Sequence, residues 1–244
     1  MELQLAQNRL LVIIPTLNEA ENISQLVKLF SAVSTPMDLL FIDDNSIDGT
    51  IQMIERSRKY TEHQIEIISR MRREGIGSAH LLGLQYALQK NYELVATIDA
   101  DLTHDPRLIP EMLLKLEVFD MVVASRFVLG GGFVGWSIYR RILSGVAQRI
   151  NQAVLGVNFD ASGGFRIYKK SVASFIVDHN KWAAGYAFLY ESAYKINQTN
   201  FKIAQQPILL NARSAGESKM RIRDGVATLF AIAKIRIRSM NWHE

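Results

Sequence analysis

Short, unbroken apolar runs that end in polar or glycine-rich strings recur through the first half of the chain. Leu10–Ile14 is stopped by Pro15, Leu39–Ile42 ends in Asp43-Asp44-Asn45-Ser46, and Ile65–Ile68 and Leu94–Ile98 follow in the same manner. Runs of this length without polar alternation read as strands buried on both faces. Between them lie helical patterns. Asn18, Glu19 and Glu21 open a helix through about Val33, with Ile23, Leu26, Val27 and Phe30 at helical spacing. Asp48-Gly49-Thr50 leads into a second helix, Gly75-Ile76-Gly77-Ser78-Ala79 into a third reaching about Gln89, and Pro106 opens a fourth. Alternating strands and helices with short connections predict a parallel sheet covered by helices, with right-handed crossovers.

The second half is less regular. Asp120–Ser125 reads as a fifth strand, Gly130-Gly131-Gly132 as a flexible loop, and Trp136–Leu155 as a long apolar helix carrying Arg140, Arg141, Ser144 and Arg149. Arg140 and Ser144 are four apart and share a face; such a face is either a solvated basic stripe or a place for an anion. Gly163–Tyr168 reads as a turn entering a short strand, followed by helices near Ser171–Val177 and Phe188–Ile196 and a strand at Phe201–Asn211. Near the C-terminus Ile222, Val226, Leu229, Phe230, Ala233, Ile237 and Met240 form a helical apolar stripe, with Arg223, Lys234 and Arg238 on another face and Arg221 and Arg236 nearby. A basic amphipathic helix lies in a membrane interface or packs on its own domain.

Composition narrows the function. The 244 residues, 48% hydrophobic and 21% charged, are read as one domain. The absence of cysteine excludes disulfides, thiolate metal sites and a cysteine nucleophile. A net charge of +4 and a pI near 9.3 admit phosphate-rich partners. No apolar run approaches the ~20 residues of a membrane span, and no basic region leads into a signal-like apolar run. Nucleic acid is not an expected partner, because the arginines interleave with carboxylates and no recognised binding module is present. Gly75 and Gly77 lack the third glycine of a dinucleotide fingerprint, His80 standing in its place, and follow the third strand rather than the first.

The chemistry centres on Val95–Pro106, where an apolar run ends in Asp99 and Asp101. If the strand continues through Asp101, both carboxylates leave its carboxyl end on one side, where open α/β sheets bind ligands. Two hard oxygen ligands there suit Mg²⁺ or Mn²⁺ bridging a diphosphate. By itself Asp-x-Asp is equally a solvated turn.

Eight strings taken in order resemble the family 2 glycosyltransferases, and among them the polyprenol (dolichol) phosphate mannosyltransferases of the short form without membrane spans. They are Ile14–Glu19, Asp43–Thr50, Asp99–Pro106, Ser125-Arg126-Phe127, Trp136 with Arg140 and Ser144, Gly163–Arg166, Gly185–Phe188 with Glu191, and Arg213 followed by Gly216–Lys219. The resemblance implies a GT-A fold, Rossmann-like, with C-terminal amphipathic helices. About 1–125 form a nucleotide-binding half, 126–220 an acceptor-binding half and 221–244 a basic helix. It implies inverting, metal-dependent transfer of mannose from GDP-mannose to polyprenyl monophosphate; UDP-glucose or another donor, a different acceptor, or a non-catalytic nucleotide-sugar module are the alternatives. Pro15, Leu17, Glu19, Asp44 and Asn45 fall where the family holds the nucleoside, and Asp99, Ala100 and Asp101 where it holds the donor diphosphate. Asp99 and Asp101 are the implied ligands for Mg²⁺ or Mn²⁺. Arg126, Arg140, Ser144, Arg213 and Lys219 fall at phosphate-facing positions, with Asp101 and Arg126 the implied catalytic pair. The implied location is peripheral, on the cytoplasmic face of a membrane, with a separate anchoring subunit as a possible partner. The chain departs from the family pattern at Leu17 (usually Tyr), Thr103 (Gln or Ser near the metal), Gln148 (Asn), Gly163 (Ser) and Gln205 (acidic).

Phosphate acceptors explain these residue types independently. A phosphate monoester, with its second pKa near ~6, is mostly dianionic at neutral pH and needs no His or Ser base. Arginines that bring two anions together, and a metal that stabilises the leaving diphosphate, are what the reaction requires.

Overall fold

The computed structural model describes residues 9–179, 182–183, 185–212, 230 and 232–237. Strands β1 (Leu10–Thr16), β2 (Asp38–Asp43), β3 (Gln64–Ser69), β4 (Leu94–Thr97), β5 (Met121–Ser125), β7 (Arg166–Lys169) and β8 (Ile203–Pro207) form one sheet in the order β3-β2-β1-β4-β7-β5-β8. The helices are α1 (Ala20–Ser31), α2 (Thr50–Ser57), α3 (Ile76–Gln89), α4 (Ile109–Lys115), α5 (Ile138–Leu155), α6 (Lys170–Asp178) and α7 (Ala187–Asn197).

Alternate side chains of the central strands feed two cores. Leu10, Val12 and Ile14 of β1 pack with Ile23, Leu26, Val27 and Phe30 of α1, Ile54 of α2 and Met112 of α4. Leu11 and Ile13 face Ala79, Leu84 and Ala87 of α3, with Ile176 of α6 and Phe188 and Ile196 of α7. Each large apolar side chain buried in this way contributes roughly 1.5–3 kcal/mol. Gly83 permits the close approach of α3 to β1, since a Cβ there would lie 2.5 Å from Ile13 Cγ2.

The expected parallel sheet is corrected in one place. β7 runs antiparallel to both β4 and β5. The chain leaves β5 at the carboxyl edge, builds α5 there, and enters β7 from that same edge without crossing back. It therefore runs in reverse. Gly132, expected in a flexible loop with Gly130 and Gly131, instead opens strand β6 (Gly132–Val134), paired in parallel with β9 (Leu209–Asn211). The strand expected over Phe201–Asn211 is thus divided between two sheets at Ile208. The long helix begins at Ile138, two residues later than expected, with Ser137 as its N-cap accepting from Arg140 N.

Residues 232–237 are helical, but the buried positions are Ile232 and Ile235, which join the second core. Phe230, Ala233 and Ile237, members of the expected apolar stripe, are exposed. The rest of 221–244 lies outside the described residues. Among the described residues no helix is long and apolar enough to cross a membrane.

Candidate active site

The loops at the carboxyl edge of β1, β2 and β3 are stitched into one wall. Asn18 N donates to Ser46 Oγ (2.8 Å), Ile47 N to Asn18 Oδ1 (3.0 Å), Glu19 N to Thr50 Oγ1 (2.9 Å) and Ala20 N to Asp48 Oδ2 (3.0 Å). These bonds account for the Ile14–Glu19 and Asp43–Thr50 strings: each supplies what the other needs. Asn18 and Asn45 adopt positive φ, which asparagine tolerates better than other non-glycine residues. Pro15, expected to stop the first strand, lies inside β1 opposite Ile42, and the strand runs on to Thr16; Leu17 and Glu19 are half-buried beyond it, and Asn45 is exposed.

Asp44 serves the wall itself. Its carboxylate accepts from Glu74 N and Gly75 N, both at 2.7 Å, and forms an ion pair with Arg70 Nη2 at 2.9 Å, so it holds the loop after β3. Arg70, which sequence reasoning missed, also bonds Ser78 Oγ and Gly75 O. Gly75 needs its φ of +90° at the start of α3. Gly77 has a tertiary reason instead: a Cβ there would lie 2.7 Å from Phe188 Cβ.

β4 ends at Thr97, so Asp99 and Asp101 do not project from a continuing strand. They sit in a loop that reverses at Leu102, whose φ is +61°. A non-glycine residue costs about 1 kcal/mol or more in that region, and burial of the Leu102 side chain in the core holds it there. Ala100 is also buried in that core. Asp101 is buried, and its Oδ1 accepts from Thr103 N (3.2 Å) and Thr103 Oγ1 (2.6 Å). Asp99 faces Gly164, where a Cβ would lie 3.0 Å from both carboxylate oxygens.

The Gly163–Arg166 string builds that cradle. Arg166, fully buried, donates to Gly163 O, Ala161 O, Leu189 O and Ser192 Oγ. Thr97 Oγ1 donates to Gly164 O (2.7 Å), and Phe165 meets His104 edge-on at 5.8 Å.

Arg126, just beyond β5, forms the other half of the site. It donates to Asp160 Oδ2 (3.0 Å), Ser162 Oγ (2.8 Å) and Ser144 Oγ (3.1 Å). Its guanidinium lies 4.5 Å from the Phe127 ring centroid and 5.6 Å from that of Phe133, an arrangement that limits its freedom. Arg126 and Ser144 are thus brought together. Arg140 lies one turn before Ser144, exposed, with its guanidinium 6.0 Å from the Trp136 ring. Arg213 and Lys219 lie outside the described residues. Gln148 Nε2 donates to Phe159 O, and Gln205 to Asn158 O while accepting from Asp160 N; two departures from the family pattern therefore brace the loop that carries Asp160.

Asp160 was not found by sequence reasoning. It accepts from Ser162 N and Gly163 N as an Asx turn. The Asp-x-Ser-Gly string signals that turn, but nothing local signals the ion pair with Arg126.

His104 lies between the two halves. Burial pushes it down to about 4, the charges of Asp101 and Asp160 oppose that fall, and Arg126 reinforces it. It is neutral at pH 7 and a poor base. Among the described residues no group of three or more His, Cys, Asp or Glu is arranged for a metal ion. Asp99 and Asp101 nevertheless fit Mg²⁺ or Mn²⁺, which take one or two carboxylates and complete their shell with phosphate oxygens and water.

Residues 11–176 match the profile of Glycosyl transferase family 2. The undecaprenyl-phosphate mannosyltransferase of Micrococcus luteus is 30% identical over 213 residues, 87% of each chain. The polyprenol monophosphomannose synthase of Mycolicibacterium smegmatis is 29% identical over 232 residues, 94% of this chain and 88% of that one. Among solved structures, the glucosyl-3-phosphoglycerate synthase of Mycobacterium tuberculosis, in complex with Mn²⁺, UDP-glucose and phosphoglyceric acid, superposes with a TM-score of 0.68. It is 17% identical, over 95% of this chain and 80% of that one. The fold is the GT-A arrangement, and the chain belongs to Glycosyl transferase family 2.

Proposed function

We propose that the protein is an inverting, metal-dependent mannosyltransferase that moves mannose from GDP-mannose to a polyprenyl monophosphate. The observation that carries this reading is the junction of two anion-handling halves at one turn: Asp160 and Ser162 hold Arg126, and Gly164, two residues further on, lies against the Asp99 carboxylate. The two relatives, named for mannosyl transfer to undecaprenyl phosphate and for polyprenol monophosphomannose synthesis, support mannose as the sugar and a polyprenyl phosphate as the acceptor.

Pro15, Leu17, Glu19, Asn45 and the wall that Asp44 ties together hold the nucleoside, and the Asp99–Asp101 loop holds the diphosphate. Asp99 and Asp101 would hold Mg²⁺ or Mn²⁺, which would supply charge stabilisation to the departing diphosphate. Arg126, Arg140 and Ser144, with Arg213 and Lys219, hold the acceptor phosphate against the repulsion of the donor. A phosphate oxygen attacks the anomeric carbon opposite the diphosphate, the C–O bond to the diphosphate breaks, and the electron pair leaves with GDP. The acceptor arrives already deprotonated, so no protein group takes up a proton. Residues up to about 125 serve the donor and 126–220 the acceptor.

The acceptor requires a bilayer. α5 exposes Ile138, Tyr139, Ile142, Leu143 and Val146 beside Arg140 and Arg141, and has no acidic residue. Phe230 and Ile237 are exposed with Lys234 and Arg236. Apolar anchors with cations suit the cytoplasmic leaflet, where each Lys or Arg near anionic headgroups contributes ~1 kcal/mol. A separate anchoring subunit is compatible with this surface. Incubation with labelled GDP-mannose and polyprenyl phosphate should transfer label into the lipid. Inertness to GDP-mannose with turnover of UDP-glucose would overturn the donor assignment.

A further inference from the structure

Thr103 stands where the family pattern has Gln or Ser near the metal, and its surroundings specify its role. Thr103 Oγ1 is 2.6 Å from Asp101 Oδ1 and 3.3 Å from His104 Nδ1. A carboxylate only accepts, so the single hydroxyl proton goes to Asp101. The contact with His104 is then completed by Nδ1–H donating to Thr103 Oγ1, which fixes the imidazole tautomer. Thr103 N adds a second bond to the same Asp101 oxygen at 3.2 Å. Thr103 and His104 are both buried, and Phe165 supports the imidazole at its edge.

We propose that His104 and Thr103 form a positioning relay, His104 Nδ1–H to Thr103 Oγ1–H to Asp101 Oδ1, which fixes the Asp101 carboxylate for the metal without Thr103 entering the coordination shell. The inference rests on the metal reading above. It assigns two protein ligands, Asp99 and Asp101, and leaves the remaining positions to diphosphate oxygens and water. Groups that orient a ligand through hydrogen bonds in this way alter metal affinity by about 10- to 100-fold when removed.

The test is Mn²⁺ binding to the full chain by electron paramagnetic resonance, with GDP and in parallel with UDP, alongside a count of Mn²⁺-bound water from H₂¹⁷O broadening. Thr103→Val, which keeps shape and deletes the hydroxyl, should weaken Mn²⁺ by about 10-fold or more with the water count unchanged. Thr103→Ser should restore affinity to within about threefold, and His104→Phe should weaken it by a smaller factor than Thr103→Val. If Thr103→Val fails to fold, Thr103→Ala carries the same expectation. Wild-type affinity in the Val variant, or one extra bound water there, would overturn the relay alone. A wild-type chain that holds no Mn²⁺ with either nucleotide would overturn the metal reading and the relay with it.

Discussion

Arg126 Nη1 lies 3.0 Å from Asp160 Oδ2, and the Asp160 side chain is fully buried. The carboxylate reaches Arg126 from a turn 34 residues later in the chain, so the loop after β5 and the loop before β7 share one charge pair. Removing one partner of a buried pair typically costs 3–5 kcal/mol. We expect Asp160→Ala to lose about 3 kcal/mol in urea unfolding. Asp160→Asn keeps the turn acceptor but sets an amide donor against Arg126 Nη1, so it should lose a comparable amount of stability and lower kcat by about tenfold or more, through loss of Arg126 orientation. Equal kcat in Asp160→Asn and wild type would remove Asp160 from the site.

Gly164 tests the cradle. A methyl group at this position would stand 3.0 Å from both oxygens of Asp99, closer than most real contacts. Gly164→Ala should therefore displace the Asp99 carboxylate and raise the Mn²⁺ concentration for half-maximal turnover by about tenfold, with a melting temperature close to wild type. An unchanged Mn²⁺ requirement would show that Asp99 moves without consequence.

His80 gives a pH signature of stability. It is fully buried against Phe188, and burial, with Arg166 adding to it, pushes its pKa down to about 3. The folded state therefore resists protonation that the unfolded chain accepts below about 6.5. The stability contributed by neutral His80 is present above that value and is lost progressively as pH falls from about 6.5 towards 3. Relative to its own value at pH 7, wild type should lose about 2 kcal/mol more than His80→Leu by pH 5. Parallel pH curves for the two proteins, measured by chemical denaturation, would exclude this contribution.

The exposed face of α5 should dock on lipid. Ile142→Asp places a charge between Ile138 and Val146 without touching Arg126 or Ser144. Sedimentation with vesicles containing phosphatidylglycerol should fall by about tenfold, in line with loss of one apolar anchor and addition of repulsion. Turnover of a long polyprenyl phosphate in those vesicles should fall with it, whereas a short water-soluble analogue should be used as well as by wild type. Loss on both acceptors would assign the face to folding instead.

The first half of the chain was largely legible because each strand and helix there carries its own local signal. Leu10–Ile14 is apolar on both faces because two helical layers cover it, and Asn18 and Asp48 sit where turns need them. The reversal of β7 was not legible, since Arg166–Lys169 has the same composition whichever way it runs; direction is set by where the preceding segment ends. Asp99 and Asp101 were singled out by their spacing and given a role by the resemblance, yet strand alternation does not place them, because a left-handed Leu102 and a buried Thr103 shape the loop. Asp44 was read as a ligand residue, while its bonds to Glu74, Gly75 and Arg70 depend on a loop 30 residues away. Long-range pairs of this kind leave no mark at either position alone.

The central claim is that two carboxylates and a metal serve a phosphate nucleophile that needs no base. Its most direct test compares a polyprenyl monophosphate with the corresponding polyprenol as acceptors for GDP-mannose, with Mg²⁺ or Mn²⁺ and with chelator, in wild type and Asp101→Ala. Mannosyl transfer to the phosphate alone, lost in chelator and in Asp101→Ala, is the expected result. Transfer to the alcohol at a comparable rate, or full activity in chelator, would contradict it.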